Sequence, residues 1–492
     1  MDSIRNRFKK TPRPVRVVQF GEGNFLRAFA DHMLDIANEQ GAFNGSVAIV
    51  KPRAHGNLDA FRQQDCLYTV VLRGRENGGV VNTARAVTCI DRIVSPYEEP
   101  DCLTELGGLD TLEYIISNTT EAGISLTGDE QLTDRPCASF PGKLTQLLYA
   151  RYRRFEGDMK RGVVVLPAEL IDRNGSALKK FVLELTGKWA LEEGFVRWLN
   201  EACLFLNTLV DRIVTGFPAA EADALYESLG YEDKLLTVGE PFGLWVIECE
   251  EPEKMSARLP LDRIGLPVVY TKDLTPYRER KVRILNGAHT SSVLAAYLAG
   301  ENIVRDMMNS PLLRPLIDRA VYEELLPTVP LPEDEVRAFA DAVAERFDNP
   351  FIDHQLLAIS LNSISKWRAR VLPSVKDTLN ETGRLPEALV FSLAALIAFY
   401  TPVEQGDNCL LGRRGDETYP IRDSQPVLDF FWTHRKEENT EALVRALAAR
   451  TDFWGEDLNA LPGLTERAAY WLDIIRNEGM RSSVARAAEE RK

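Results

Sequence analysis

The sequence predicts an α/β chain in two parts: a doubly wound parallel sheet over residues 1–274, followed by a mainly α-helical part over 275–492. Three observations carry this reading. A short β-rich run, Val15–Phe20, leads straight into Gly21-Glu22-Gly23. Apolar residues then recur with a helical period at Phe25, Leu26, Phe29, Met33 and Ile36, and a second β-rich run, Val47–Val50, follows. Strand, glycine turn, helix and strand in that order make the first βαβ unit of a Rossmann-type domain. From Pro276 onward the strand signal gives way to long amphipathic segments punctuated by Pro, Asn and Gly, which puts the boundary near Thr271–Pro276.

The remaining elements follow in order. Tyr68–Leu72, Leu112–Ile116 and Gly162–Leu166 read as strands, the last as a nearly continuous apolar run of the kind buried on both faces. Leu144–Arg154 and Ala177–Leu185 carry helical periodicity. The longest apolar stretch, Ala388–Tyr400, is interrupted by Ser392 and falls short of the roughly 20 residues a membrane helix needs, so it predicts a buried helix. No internal repeat or low-complexity segment stands out.

Composition narrows the function. With 73 acidic against 59 basic residues the net charge is -14, which disfavours a nucleic-acid or anionic-membrane surface while leaving room for a local basic pocket. Five His and seven Cys offer few soft metal ligands, and no two cysteines stand in a CxxC-type spacing. Unclustered cysteines read as free thiols of a reducing compartment. The basic N-terminus (Arg5, Arg7, Lys9, Lys10) meets Pro12 and Pro14 rather than an apolar stretch, so no secretory signal is expected. A cytoplasmic protein without nucleic-acid or membrane partners is the expectation.

The glycine turn is the first place with chemistry. Gly21 permits a sharp strand-to-helix turn, and Gly23 removes the Cβ that would block a pyrophosphate. The N–H groups at the start of the following helix offer donors to that phosphate. Leu26 occupies the spacing of the third fingerprint glycine, with Ala28 two further on, so a bland tight turn stays open as the alternative. At the end of the second strand stand Lys51, Pro52 and Arg53 instead of the acid that would bind a ribose, which leaves NAD and NADP both open on the residues alone.

The second constellation is Pro276–His289. Thr275 reads as an N-cap with Pro276 at the first helical position, and Gly300 closes the pattern. On a straight α-helix Lys281 and His289 lie about 80° apart, with Asn286 about 60° beyond His289, so the three side chains can face one cleft. A buried lysine beside other cations takes a proton from an alcohol as hydride leaves its carbon, and returns it in the reverse reaction. An asparagine amide holds the developing alkoxide, and a histidine orients the oxygen. The alternative is a solvated basic face with a core histidine.

The glycine motif Gly21-x-Gly23-x-Phe25-x-Arg27-Ala28 and the helix motif Lys281-xxxx-Asn286-xx-His289 resemble the polyol-specific long-chain dehydrogenases, the mannitol dehydrogenase family. The likeness extends through Val18–Phe29, Ser117–Ile124, Glu169–Asp172, Leu209–Gly216, His354–Leu357 and Glu417–Pro420, over essentially the whole chain. It implies hydride transfer with NAD and no metal, with Lys281 as general acid/base and Asn286 and His289 as the substrate-orienting pair. It implies a nucleotide segment made of Val17, Val18, Gln19, Phe20, Gly21, Glu22, Gly23, Asn24, Phe25, Leu26, Arg27 and Ala28. Asp211 falls at the nicotinamide end by the same likeness, Glu121 is a candidate on the cofactor side, and Lys366 matches a substrate-contacting lysine, with an exposed helix charge as its plainer alternative.

Two departures bear on the substrate. Leu170 stands where mannitol-type members place an orienting Asn before Asn174-Gly175, which shifts polar work to Asn286, or to Glu169 or Asp172; Ala358 stands where they carry an Arg. Both speak against mannitol, and the wording around them suggests a sugar acid, D-altronate interconverted with D-tagaturonate in galacturonate breakdown. A mannonate/fructuronate or hexitol substrate is the nearest alternative, and a dinucleotide-binding sensor without turnover is one of a different class. A carboxylate substrate calls for a basic partner, for which Arg368, Arg370, Arg413 and Arg414 are equal candidates by charge. Beyond the sugar acid no partner is expected except copies of the chain itself, as a monomer or small homo-oligomer.

Overall fold

The computed structural model describes residues 1–120 and 123–490; Glu121 lies outside the described residues. The chain divides into two compact units, residues 1–73 with 80–274, and 74–79 with 275–492.

The first unit is built on six strands: β1 (Val15–Phe20), β2 (Ser46–Val50), β3 (Ile90–Val94), β4 (Tyr114–Ser117), β5 (Val164–Pro167) and β6 (Leu204–Phe205). All pair in parallel, in the spatial order β3-β2-β1-β4-β5-β6. This is the doubly wound order of dinucleotide-binding domains, with the direction of winding reversing between β1 and β4. Alternate side chains enter two separate cores because successive Cβ atoms point to opposite faces. Val17, Val47, Ile49, Tyr114, Ile116, Val164 and Leu166 go to one side. Val18, Phe20, Ala48, Val50, Ile115 and Val165 go to the other, under the helices Phe140–Arg154 and Asn174–Lys188. Burial on both faces is why these strands read as apolar runs.

Sequence periodicity misplaced some edges. The strand expected at Leu112–Ile116 spans Tyr114–Ser117, and Tyr68–Leu72 belongs to a second, four-stranded sheet with Gly79–Val87, Val214–Gly216 and Thr237–Gly239. A three-stranded sheet of Asn207–Asp211, Leu244–Glu248 and Val268–Thr271 completes the unit.

The second unit is mainly helical around the apolar helix Glu387–Phe399, which is buried along nearly its whole length and packs on Gly287–Ala299 and Leu464–Glu478. It also holds an antiparallel sheet, Glu404–Gly406, Cys409–Arg414 and Glu417–Ile421, that the fading strand signal did not foretell. Among the described residues no helix is long and apolar enough to cross a membrane, and all seven cysteines are unpaired.

Candidate active site

The first unit places its glycine turn at the reversal point between β1 and β4. Gly21 has φ +120°, and a Cβ there would sit 2.8 Å from the carbonyl oxygen of Asn118, so both the backbone angle and the space demand glycine. Its N–H donates to the Val50 carbonyl at 3.1 Å, and the Asn118 N–H donates to the Phe20 carbonyl at 3.1 Å, tying the ends of β1, β2 and the segment after β4 together. Gly23 is different: among the described residues, its chain neighbours and local helix backbone aside, no atom lies within 4 Å of where its Cβ would be. Packing therefore does not require glycine there, while a ligand's pyrophosphate approaching the backbone would. The helix that begins at Asn24 and runs to Glu39 points its N-terminus into this space, and the turn fits the group that Rossmann-type domains hold.

Of the expected nucleotide segment, Val17, Val18, Gln19, Phe20, Leu26, Arg27 and Ala28 are buried, whereas Glu22, Gly23, Asn24 and Phe25 line accessible surface. The buried members are the frame. Gln19 donates its amide to the Gly21 carbonyl at 3.0 Å and to the Asp31 carboxylate at 3.3 Å. Arg27 hydrogen-bonds the Leu235 carbonyl and the Asn24 side chain and lies over the rings of Phe61 and Tyr68.

Residues Arg27–Asp31 form a π turn inside this helix, and such a turn leaves a carbonyl without its helical partner. Arg212 donates to the carbonyl of Ala28 at 2.6 Å, and to those of Phe242 and Pro241 at 2.9 and 3.1 Å. Its neighbour Asp211 is buried at the end of the strand Asn207–Asp211.

Lys51 is buried, and its ammonium donates to the carbonyls of Arg53 and Ala54 at 2.9 and 3.3 Å, so it organises its own loop. Glu169 is also engaged. Its carboxylate accepts from the Thr119 N–H and hydroxyl, both at 2.9 Å, and from the Ser117 hydroxyl at 3.0 Å. It buttresses the end of β4, so of the two acids considered for the Leu170 departure only Asp172 is exposed. Asn174 is a staple: its amide donates to the carbonyls of Pro167, Glu169 and Thr208 at 2.9 to 3.1 Å.

In the second unit the expected helix is continuous from Thr275 to Ala299 and ends at Gly300 with φ +117°. It is not straight α-helix. Lys281–Asn286 is a π turn, whose i→i+5 bonding sets Asn286 one wide turn beyond Lys281 and on the same face. The angles expected of an ideal α-helix are thereby replaced by a closer alignment of those two. No residue-type signal marks a π turn, so sequence reasoning missed it.

Gly287 explains the small residue after Asn286. A Cβ there would lie 3.3 Å from the Arg370 carbonyl and 3.2 Å from Leu325, so the helix Ser363–Arg370 crosses close by. His289 lies on the next turn. Among the described residues its buried Nε2 has no hydrogen-bond partner; its ring stacks on Phe347, and His354 meets it edge-on. Burial first, and then the neighbouring His354, Arg346, Arg370 and Lys366, hold its pKa well below 6.5, so the imidazole is neutral. Lys366 donates to the Ile359 carbonyl at 2.8 Å, and burial followed by Arg370 lowers its pKa. Two arginines of this helix are paired with acids: Arg280 with Glu335 at 2.7 Å and Arg283 with Asp377 at 2.5 Å. Among the described residues no group of three or more His, Cys, Asp or Glu could hold a metal ion.

A parallel sheet of this order with a glycine turn at its reversal point defines a Rossmann-type dinucleotide-binding fold. Residues 15–261 match the mannitol dehydrogenase Rossmann domain and residues 273–476 the mannitol dehydrogenase C-terminal domain, and the chain belongs to the mannitol dehydrogenase family. It is 42% identical over 486 residues to altronate oxidoreductase of Escherichia coli (strain K12), covering 98% of each chain. It is 43% identical over 477 residues to altronate oxidoreductase of Enterobacter sp. (strain 638), covering 96% of each. Its fold is similar to that of Pseudomonas fluorescens mannitol 2-dehydrogenase, solved as a ternary complex with NAD and D-mannitol, at TM-score 0.67, 20% identity and coverage of 98% and 96%. A D-sorbitol dehydrogenase matches at TM-score 0.77, 20% identity and coverage of 96% and 95%.

Proposed function

We propose that this chain is an NAD-dependent oxidoreductase that interconverts D-altronate and D-tagaturonate. The observation that carries the reading is the match to altronate oxidoreductases at 42% identity over 98% of both chains. Residues 1–274 serve as the dinucleotide-binding part and 275–492 as the substrate and catalytic part. The glycine turn within Val17–Ala28 would hold NAD, which would supply the hydride acceptor for the alcohol carbon and, in reduced form, the donor for the reverse reaction. Val17–Ala28 and Asp211 are the nucleotide segment, with Glu22–Phe25 as its accessible face and the rest as its support.

Lys281 takes the proton of the alcohol as the C–H bond breaks, and gives it back to the carbonyl oxygen in the reduction. Asn286, aligned with it by the π turn, donates its amide to that oxygen as negative charge develops. His289 is neutral and held by ring packing, so its uncommitted Nε2 serves as a hydrogen-bonding group that fixes the oxygen's position. Lys366 holds the substrate from the neighbouring helix. Proton transfer by lysine asks for no metal. The enzyme acts in the cytoplasm on a small sugar acid, as a monomer or small homo-oligomer.

Oxidation of NADH, followed with tagaturonate, fructuronate and fructose in parallel and repeated with NADPH, tests the reading. The highest kcat/KM is expected for tagaturonate with NADH. Faster turnover of fructuronate would overturn the altronate assignment, and NADH binding without turnover of any of the three would leave a dinucleotide-binding sensor.

A further inference from the structure

The second unit places two cations side by side near His289. Lys366 and Arg370 are four residues apart on the helix Ser363–Arg370, so they share a face. Arg370 donates to the Thr290 hydroxyl at 3.4 Å, beside His289. Among the described residues that long contact is its only hydrogen bond, and it has no carboxylate partner. After burial, the side chains that act most strongly on His289 are His354, Arg346, Arg370 and Lys366, and all four lower its pKa. The one acid felt by Lys366 is Asp423, which already accepts from the Tyr400 hydroxyl and the Ser424 N–H, both at 2.7 Å.

The other candidate cations are committed or apart. Arg414 donates to the Tyr297 and Glu301 carbonyls at 3.1 and 3.0 Å, closing a helix end. Arg368 is exposed beside Gly455, and Arg413 is exposed on the strand Cys409–Arg414. Arg370 stands alone as a half-buried guanidinium that lost hydration without gaining a counter-ion, which is costly unless an anion arrives. Its planar fork suits a carboxylate in two-point contact.

We infer that Arg370 binds the substrate's carboxylate, with Lys366 beside it, and is the residue by which this site separates a sugar acid from an uncharged ketose. The inference rests on the proposed function insofar as the substrate is a keto acid. It assigns to Arg370 a role in specificity and none in proton transfer.

The test compares tagaturonate with its uncharged counterpart tagatose in the full-length enzyme and in Arg370→Gln and Arg370→Lys. In Arg370→Gln the ratio of kcat/KM for tagaturonate to that for tagatose is expected to fall roughly 10- to 100-fold, mainly through KM for tagaturonate. Arg370→Lys, which keeps the charge and loses the fork, is expected to recover part of the ratio. Unchanged thermal midpoint and NADH affinity mark both variants as folded. Where tagatose turnover is too slow to follow, its inhibition constant supplies the second number. An unchanged ratio, or equal losses on both substrates, overturns the inference. If the unsubstituted enzyme ignores tagaturonate, the proposed function has failed instead, and the same ratio for the hexuronate it accepts still decides Arg370.

Discussion

The imidazole of His289 lies flat on the ring of Phe347, with centroids 4.0 Å apart and planes 9° apart. This contact fixes the plane of the imidazole and uses neither of its nitrogens. Phe347→Leu keeps an apolar wall but loses the flat partner, so kcat for tagaturonate is expected to fall about 10-fold with KM for NADH unchanged. A change confined to NADH affinity would refute the positioning role.

Lys281→Ala removes the proposed proton carrier. The chemical step is expected to slow by roughly 10²- to 10⁴-fold, while NADH binding, measured by fluorescence titration, stays close to that of the unsubstituted enzyme. Activity should also survive exhaustive chelation. Loss of activity on chelation, restored by added zinc, would contradict a lysine acting alone.

Gly21 and Gly23 separate the needs of the fold from those of the ligand. Gly21→Ala forces a side chain into φ +120° and against the Asn118 carbonyl, and should cost about 1–3 kcal/mol of stability, read as a lower thermal midpoint. Gly23→Ala meets open space and should leave the midpoint unmoved while weakening NADH binding. Full NADH affinity in Gly23→Ala would show that the pyrophosphate does not approach this residue.

The buried neighbours Asp31 and His32 give stability opposing dependences on pH. Burial pushes the Asp31 carboxyl up from 3.8 to about 7, so between those values the folded chain keeps a proton that the unfolded chain has lost. Its contribution is complete below 3.8 and is lost as pH rises through 7. His32 is pushed down from 6.5 to about 3, so its contribution is complete above 6.5 and is lost as pH falls toward 3. Asp31→Asn removes the first dependence alone. Its thermal midpoint relative to the unsubstituted protein should be higher at pH 8 than at pH 5, by the equivalent of a few kcal/mol at most. The opposite order would rule out a neutral Asp31 in the folded state at low pH.

What was legible in the sequence is what repeats. The glycine turn, the strand Val15–Phe20, the buried run that contains Val164–Leu166 and the helix ending at Gly300 all follow from local period and composition. The π turns at Arg27–Asp31 and Lys281–Asn286 were not legible, because one extra residue in a turn leaves the apolar pattern nearly intact. Long-range commitments were hidden too. Glu169 is a candidate for the carbonyl on the sequence alone, but its carboxylate accepts from Ser117 and Thr119, about fifty positions away in sequence. Arg370 could be told from Arg368, Arg413 and Arg414 only once the partners of each were known.

The backbone passes from one unit to the other at residue 74, back at 80 and again at 275, because the tip 74–79 of the strand pair Tyr68–Glu76 and Gly79–Val87 is counted with the second unit. Within that unit Arg75 pairs with Asp348 at 2.8 Å, and the Asn77 N–H donates to Glu345 at 3.0 Å. The two halves are therefore not independently exchangeable modules. A chimera joined at 274/275 from two relatives would graft a foreign hexapeptide onto the recipient's helices, and a faithful hybrid must carry the six residues along with the C-terminal half.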